Sequence, residues 1–308
     1  MTDTIPSWIS GDEVFGRVSF ETAVRAIQRG LKAGIDPTKD FPRSVLPLNH
    51  GQLILMPTQS SEFVGIKVLT VAPDNTALGK ATIQAVYLLM DALTLSPVAF
   101  IDGAALTTLR TPATSAAVAD HLAPGQVDHL VVFGSGPQAW GHVEAMRAIR
   151  SLGIVTIVDI DRRRATALAA RVQSSGLKSR VGSADDVRDA QLIVCATTSR
   201  TPLFNGSLVR NDSLTVAVGA YEPDTRELGS ELITKAQLVV DDIGTALREA
   251  GDLIIPIAEG VIESASLIPM RDIITGVTAV DHQRPRVFKS TGMSWEDLVV
   301  ASEVFRAS

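Results

Sequence analysis

Residues 131–139 read VVFGSGPQA, and the fold of the second half of the chain turns on what this stretch is. An apolar strand runs into G-x-G-x-x-A and opens a helix. In that pattern Gly134 allows a tight turn and Gly136 lets the backbone approach a pyrophosphate at the positive end of the helix. Ala139 is small enough for that helix to pack on the sheet. Ser135, Pro137 and Gln138 complete the turn. The glycine pattern alone is a weak signal. Here a second strand follows and ends in Asp159, twenty residues past Ala139, where a ribose-binding carboxylate belongs. The reading is a dinucleotide site. Asp159 would repel a 2′-phosphate and so favours NAD; Arg162, with Arg163 and Arg164 behind it, keeps NADP as the alternative.

The surrounding pattern agrees. Short strands are expected at 129–133, 154–158, 192–196, 214–218 and 238–241, with helices at 139–149 and 165–172. Strand and helix alternating at this spacing mean βαβ units and a doubly wound parallel sheet. The first third reads differently. Val24, Ile27 and Leu31 mark a helix from about Ser19 to Gly34. The apolar runs QLILMP, FVGIKVLTVA, TIQAVYLLMD and PVAFID then predict a mixed or mainly antiparallel sheet. Residues 104–119 predict a helix at least from Pro112, a residue suited to a first turn. Ala123-Pro124-Gly125-Gln126 reads as a break between domains. The closing stretch RVFKSTGMSWEDLVVASEVF reads as strand, glycine turn and amphipathic helix, with Leu298, Ala301 and Phe305 on one side.

Composition narrows the function classes. A chain of 308 residues with 45% hydrophobic residues supports one large domain or two ordinary ones. The net charge of −6 argues against a nucleic-acid partner. A single cysteine, Cys195, excludes an internal disulfide, fits a reducing compartment and reads as an inert strand residue. No basic-then-apolar leader and no membrane-length apolar run is present, so a cytoplasmic protein without membrane association is expected. The histidines show no metal-ligand spacing, and no G-x-S-x-G elbow occurs. No metal is expected.

Three cations sit in apolar settings. Lys67 lies in the middle of FVGIKVLTVA, Arg43 in FPRSVLPL, and Arg110 is the only charged residue between Asp102 and Asp120. A charge taken out of water needs a partner. Together they could form a pocket for a small carboxylate, arginine giving a two-pronged grip and lysine a point charge or a proton. Singly, each could as well snorkel or pair with a structural acid.

With these residues in view the chain resembles the ornithine cyclodeaminase/mu-crystallin family over nearly its whole length. The matching pieces are Met56-Pro57, GIKVLTVAP around Lys67, LLMD with ALTTLRTPATSAA around Arg110, GSGPQA, VCATTSRTPLF, GAYEPDTREL and VFKSTGMSWEDL. The resemblance implies an α/β fold in which a Rossmann domain, residues 116–289, is inserted into a smaller α+β substrate and dimerisation domain, residues 1–115 plus 290–308. It implies a homodimer. It also implies that Arg43, Lys67 and Arg110 bind a substrate carboxylate, that Thr82 lies on the substrate side, and that Thr197 and Ser290 to Gly292 line the cofactor.

The family is chemically mixed. Its ornithine-cyclising members carry an aspartate where this chain has Tyr221, and an acid just before the Met-Pro pair where this chain has Ile54 and Leu55. The expectation is therefore an NAD(P)H-dependent reductase of small cyclic ketimines, Δ1-pyrroline-2-carboxylate or Δ1-piperideine-2-carboxylate, giving L-proline or L-pipecolate. Tyr221 would shape the pocket or donate its hydroxyl. The alternatives are ornithine cyclodeaminase, alanine dehydrogenase and, from another class, a nucleotide-gated binding protein that turns nothing over.

Overall fold

The computed structural model describes residues 6–307. In chain order the elements are β1 (Ser7–Ile9), α1 (Gly11–Arg17), α2 (Phe20–Lys32), β2 (Ser44–Leu48), β3 (Gly51–Gln59), β4 (Phe63–Val71), β5 (Ile83–Asp91), β6 (Pro97–Asp102) and α3 (Gly103–Leu122). There follow β7 (Val127–Phe133), α4 (Pro137–Ile149), β8 (Leu152–Val158), α5 (Arg162–Ser174), β9 (Lys178–Val181), β10 (Leu192–Cys195), β11 (Leu214–Ala217) and α6 (Ser230–Ile233). The chain closes with β12 (Gln237–Val240), α7 (Ile243–Glu249), α8 (Gly251–Ala258), β13 (Leu267–Pro269), α9 (Met270–Ile274), β14 (Arg286–Lys289) and α10 (Ser294–Arg306). The residues divide into two compact units, parting at Thr111/Pro112 and again at Gly292/Met293.

The first unit is a six-stranded sheet, order β1-β6-β5-β4-β3-β2, antiparallel except for the parallel β1–β6 pair. Its helices start where local chemistry dictates. Ser10 and Glu13 form a reciprocal capping box for α1, and the Ser19 hydroxyl accepts the Thr22 N–H at 3.1 Å to cap α2. Side chains alternate across the strands. One face carries Ile54, Met56, Lys67, Leu69, Tyr87 and Leu89, all buried, and α10 packs on β3 and β4. The other face carries Leu53, Leu55, Val64, Ile66, Val68 and Leu88, which stay half-buried.

The second unit is an eight-stranded, wholly parallel sheet of order β13-β12-β14-β11-β10-β7-β8-β9. Strands buried on both sides explain why runs such as LIVC and LTVA show no polar alternation. The strand before the final helix, β14, lies between β11 and β12.

Two expectations change. Pro112 sits inside α3 instead of in a first turn. The helix starts earlier because Asp102 caps it, its carboxylate accepting the N–H groups of Ala104 and Ala105 at 3.0 and 2.9 Å. Pro112 therefore removes one helical hydrogen bond in mid-helix, and the two units part at that residue. Buried Ala113, Ala116, Ala117 and Ala119 keep the later turns packed. The turn at 123–126 only ends α3 and leads into β7; the units do not part there.

Candidate active site

In the second unit the glycine stretch forms the expected strand–turn–helix. Gly134 has φ +101°, and a Cβ there would lie 2.5 Å from the Ala196 carbonyl oxygen, so no other residue fits. Gly136 precedes α4, and a Cβ there would meet nothing within 4 Å. The first N–H groups of α4 thus face a cradle open to a phosphate, with the helix dipole behind it. Pro137 occupies the first turn of α4, and Ala139 is fully buried beneath it. The Gln138 carbonyl accepts from His142, whose other ring nitrogen meets Ser115 at 2.9 Å. Burial pulls the His142 pKa down to about 4, so this histidine is a neutral packing residue.

Asp159 follows β8. One of its oxygens accepts from the Ser135 hydroxyl at 2.5 Å and the other from the Asp161 N–H at 2.9 Å. A carboxylate has about four acceptor positions, so room remains for two ribose hydroxyls. Arg162 opens α5 and is exposed. The turn after β7 lies between β8 and β10, where the direction of winding reverses and open α/β sheets bind ligands.

Thr197, Ser290 and Gly292 are all held by acids that local pattern reading did not single out. The Thr197 N–H and hydroxyl both donate to Glu227 at 2.8 Å. Ser290 Oγ and the N–H groups of Thr291 and Gly292 donate to Asp241 Oδ2 at 3.0, 2.7 and 2.9 Å. Lys289 Nζ pairs with Asp252 at 2.9 Å. Tyr221 lies beyond β11 and is 37% exposed.

In the first unit Lys67 and Arg110 are 1% and 5% exposed, and neither waits empty for a ligand. Lys67 Nζ donates to both oxygens of Asp297, at 2.9 and 2.8 Å. Arg110 donates through Nε to Asp297 at 2.9 Å and through Nη1 to Glu296 at 2.7 Å. For these two cations the pairing with a structural acid, one of the readings left open by the sequence, is what the structure has. The acids lie in the first turn of α10, roughly two hundred residues away in sequence, so no local pattern could pair them.

A third cation joins this cluster. Arg43, half-buried before β2, completes it, since its charge reaches Lys67. Burial and the Arg110 charge, helped by Arg43, pull the Lys67 pKa from 10.5 to about 8, against the pull of Asp297. Burial opposes the Arg110 charge, but Asp297 and Glu296 outweigh it and hold that guanidinium above its ordinary value. Tyr87, directly across from Lys67 on β5, has its phenol pushed up by burial and by Asp297 and Asp40. Burial raises Asp40, whose carboxylate accepts the Trp295 N–H at 2.9 Å. Thr82 precedes β5, half-buried; its carbonyl accepts the Ala72 N–H, and no hydrogen bond among the described residues ties its side chain to the cluster. Among the described residues no group of acids, histidines or cysteines could hold a metal. None of their helices is long and apolar enough to cross a membrane.

Comparison with known proteins gives this arrangement a context. The chain is 33% identical over 274 residues to a Δ1-pyrroline-2-carboxylate reductase of Bacillus cereus, spanning 85% of this chain and 84% of that one. It superposes with TM-score 0.92 and 27% identity on a Thermococcus litoralis Δ1-pyrroline-2-carboxylate reductase solved with NADH and L-proline, covering 98% and 97% of the two chains. An archaeal alanine dehydrogenase dimer with bound NAD matches with TM-score 0.92 and 26% identity, covering 98% and 95%. The ornithine cyclodeaminase/mu-crystallin family profile matches residues 12–307, and the chain belongs to that family.

Proposed function

We propose that the protein is an NADH-dependent reductase of small cyclic ketimines, converting Δ1-pyrroline-2-carboxylate or Δ1-piperideine-2-carboxylate to L-proline or L-pipecolate. The observation that carries this reading is the clustering of buried Lys67 and Arg110, held by Glu296 and Asp297, with half-buried Arg43, whose charge reaches Lys67. Relatives with the same activity in their names support it.

Arg43 and Arg110 would grip the substrate carboxylate, and Lys67 would add a third contact that fixes the ring. NADH, when bound, supplies the hydride that goes to the imine carbon. The imine nitrogen takes a proton as its double bond to carbon is lost. Lys67, with a pKa of about 8, holds a proton near neutral pH that it can give up to such a nitrogen. Gly134, Ser135, Gly136, Pro137, Gln138 and Ala139 form the pyrophosphate cradle, Asp159 would take the ribose hydroxyls in preference to a 2′-phosphate, and Thr197, Ser290 and Gly292 belong to loops that would line the nicotinamide half. Residues 116–289 serve as the dinucleotide domain, and residues 1–115 with 290–308 as the substrate domain.

Ornithine cyclodeamination fits less well. The first-unit acids Glu296 and Asp297 are already committed to Arg110 and Lys67, and Tyr221 offers no charge to a substrate ammonium. The half-buried apolar face of Leu53, Leu55, Ile66, Val68 and Leu88 supports a homodimer, and the dimeric alanine dehydrogenase relative points the same way. The single buried thiol, Cys195, fits a cytoplasmic setting.

The test is a panel. The two cyclic imines, pyruvate with ammonia, and ornithine are offered with NADH, NADPH or NAD. Imine-dependent loss of NADH absorbance is expected to dominate. Proline and ammonia formed from ornithine at a higher rate would overturn the assignment.

A further inference from the structure

Glu227 is fully buried in the segment between β11 and α6, six residues past Tyr221. Its two oxygens face different strands. One accepts the Thr197 N–H and hydroxyl, both at 2.8 Å; the other accepts the Gly219 N–H at 2.7 Å. Thr197 is the second residue past β10 and Gly219 the second past β11, so one carboxylate ties together the carboxyl ends of two adjacent strands. The space there is tight. A Cβ on Gly219 would lie 2.0 Å from the Thr197 carbonyl oxygen.

Glu227 is itself held. Its own N–H and that of Leu228 donate to Asp252 Oδ1 at 2.7 and 2.8 Å. Asp252 Oδ2 pairs with Lys289 at the end of β14, and Lys289 also donates to the Ala220 carbonyl. A chain of buried polar groups thus runs from β14 through Asp252 and Glu227 to the loops after β10 and β11. The Asp252–Lys289 link is an ion pair, the others are hydrogen bonds, and a buried network of this kind rigidifies what it touches.

The position gives that rigidity a use. Asp159 marks the β8 side of the crevice at β7, and β10 and β11 lie on the other side. A dinucleotide lying across the crevice with its adenosine ribose at Asp159 puts its nicotinamide half over the β10–β11 side. We propose that Glu227 is a positioning residue for the nicotinamide half of the dinucleotide, acting through Thr197 and the Gly219–Tyr221 segment without touching the cofactor. The inference rests on the dinucleotide reading above.

Glu227→Gln keeps the shape but turns one acceptor oxygen into a donor, so the side chain can no longer accept from both loops. Binding of NADH and of AMP, which occupies the adenosine half alone, separates local from general damage. The NADH dissociation constant is expected to rise about tenfold while that of AMP stays within about twofold, as for loss of one buried hydrogen-bond acceptor. Imine turnover should fall with the imine KM little changed. Thr197→Val removes only the hydroxyl bond and should shift NADH alone, by about threefold; it carries the test if Glu227→Gln does not fold. Equal weakening of AMP and NADH, or no change in either, overturns the inference and leaves the dinucleotide reading standing. A wild-type protein that binds neither nucleotide overturns both.

Discussion

Lys67 in the first unit and Lys289 in the second are both buried, and each meets an aspartate, at 2.8 and 2.9 Å. Their surroundings differ in sign. Lys67 shares its space with Arg110 and Arg43, whose charges pull its pKa down against Asp297. Lys289 stands beside Asp252, with Glu227 joined on through that aspartate, and its ammonium also donates to a backbone carbonyl. In the first arrangement like charges press on the lysine. The second is closed on the protein's own groups: its cation meets Asp252 and the Ala220 carbonyl, and both carboxylates collect backbone N–H groups. The two buried lysines thus differ in the sign of the charges around them.

The largest effect expected from this contrast falls on the closed network. Lys289→Met leaves Asp252 and Glu227 buried without their cation, and breaking such a pair from one side costs about 3–5 kcal/mol. Urea unfolding should show that loss as a lower midpoint. A loss under about 1 kcal/mol would mean that the second unit tolerates the unbalanced acids, and the contrast would fail. Lys67→Met should do the reverse. Asp297 keeps Arg110 as its partner at 2.9 Å, and a charge that burial disfavours is removed, so stability should hold within about 1 kcal/mol. Imine kcat/KM should drop about a hundredfold, equivalent to about 2.7 kcal/mol of transition-state stabilisation. A normal kcat with only a raised KM would reduce Lys67 to a binding contact.

What the sequence shows of each region follows from how local its signals are. The glycine turn was legible because strand, Gly134, Gly136 and Asp159 lie within thirty residues and each has a local steric or charge requirement. The parallel sheet was legible from its strand spacing, but the placing of β14 between β11 and β12 was not, since neighbour order is decided by long-range packing. Arg43, Lys67 and Arg110 stood out because charge is costly in an apolar run. Their partners did not. Glu296 and Asp297 sit in the first turn of a helix, where acids are favoured anyway by the dipole, so nothing local marks them as buried. Glu227 was hidden in the same way, in a loop whose neighbours include charged residues. Pro112 misled because its preference for a first turn is weaker than the packing of the alanine-rich helix around it.

The smallest effect is the most specific to the first cluster. The folded protein holds the Lys67 proton less tightly than the unfolded chain does, about 8 against 10.5. Below pH 8 the ammonium therefore detracts from stability. That cost is relieved as pH rises from about 8 to 10.5, where the unfolded chain binds more protons than the folded one. Activity should move the other way, with imine kcat/KM falling as the ammonium is lost near pH 8. Arg43→Met removes one of the charges that lower Lys67, so this alkaline limb should shift upward, by less than about one unit, while the imine KM rises. Arg110, Asp297, Glu296, Tyr87 and Asp40, which surround Lys67 from the other elements, keep their own side chains in that variant, so the direction of the shift reads the Arg43 charge. A limb that stays fixed in Arg43→Met would place the titration elsewhere and remove Arg43 from the cluster.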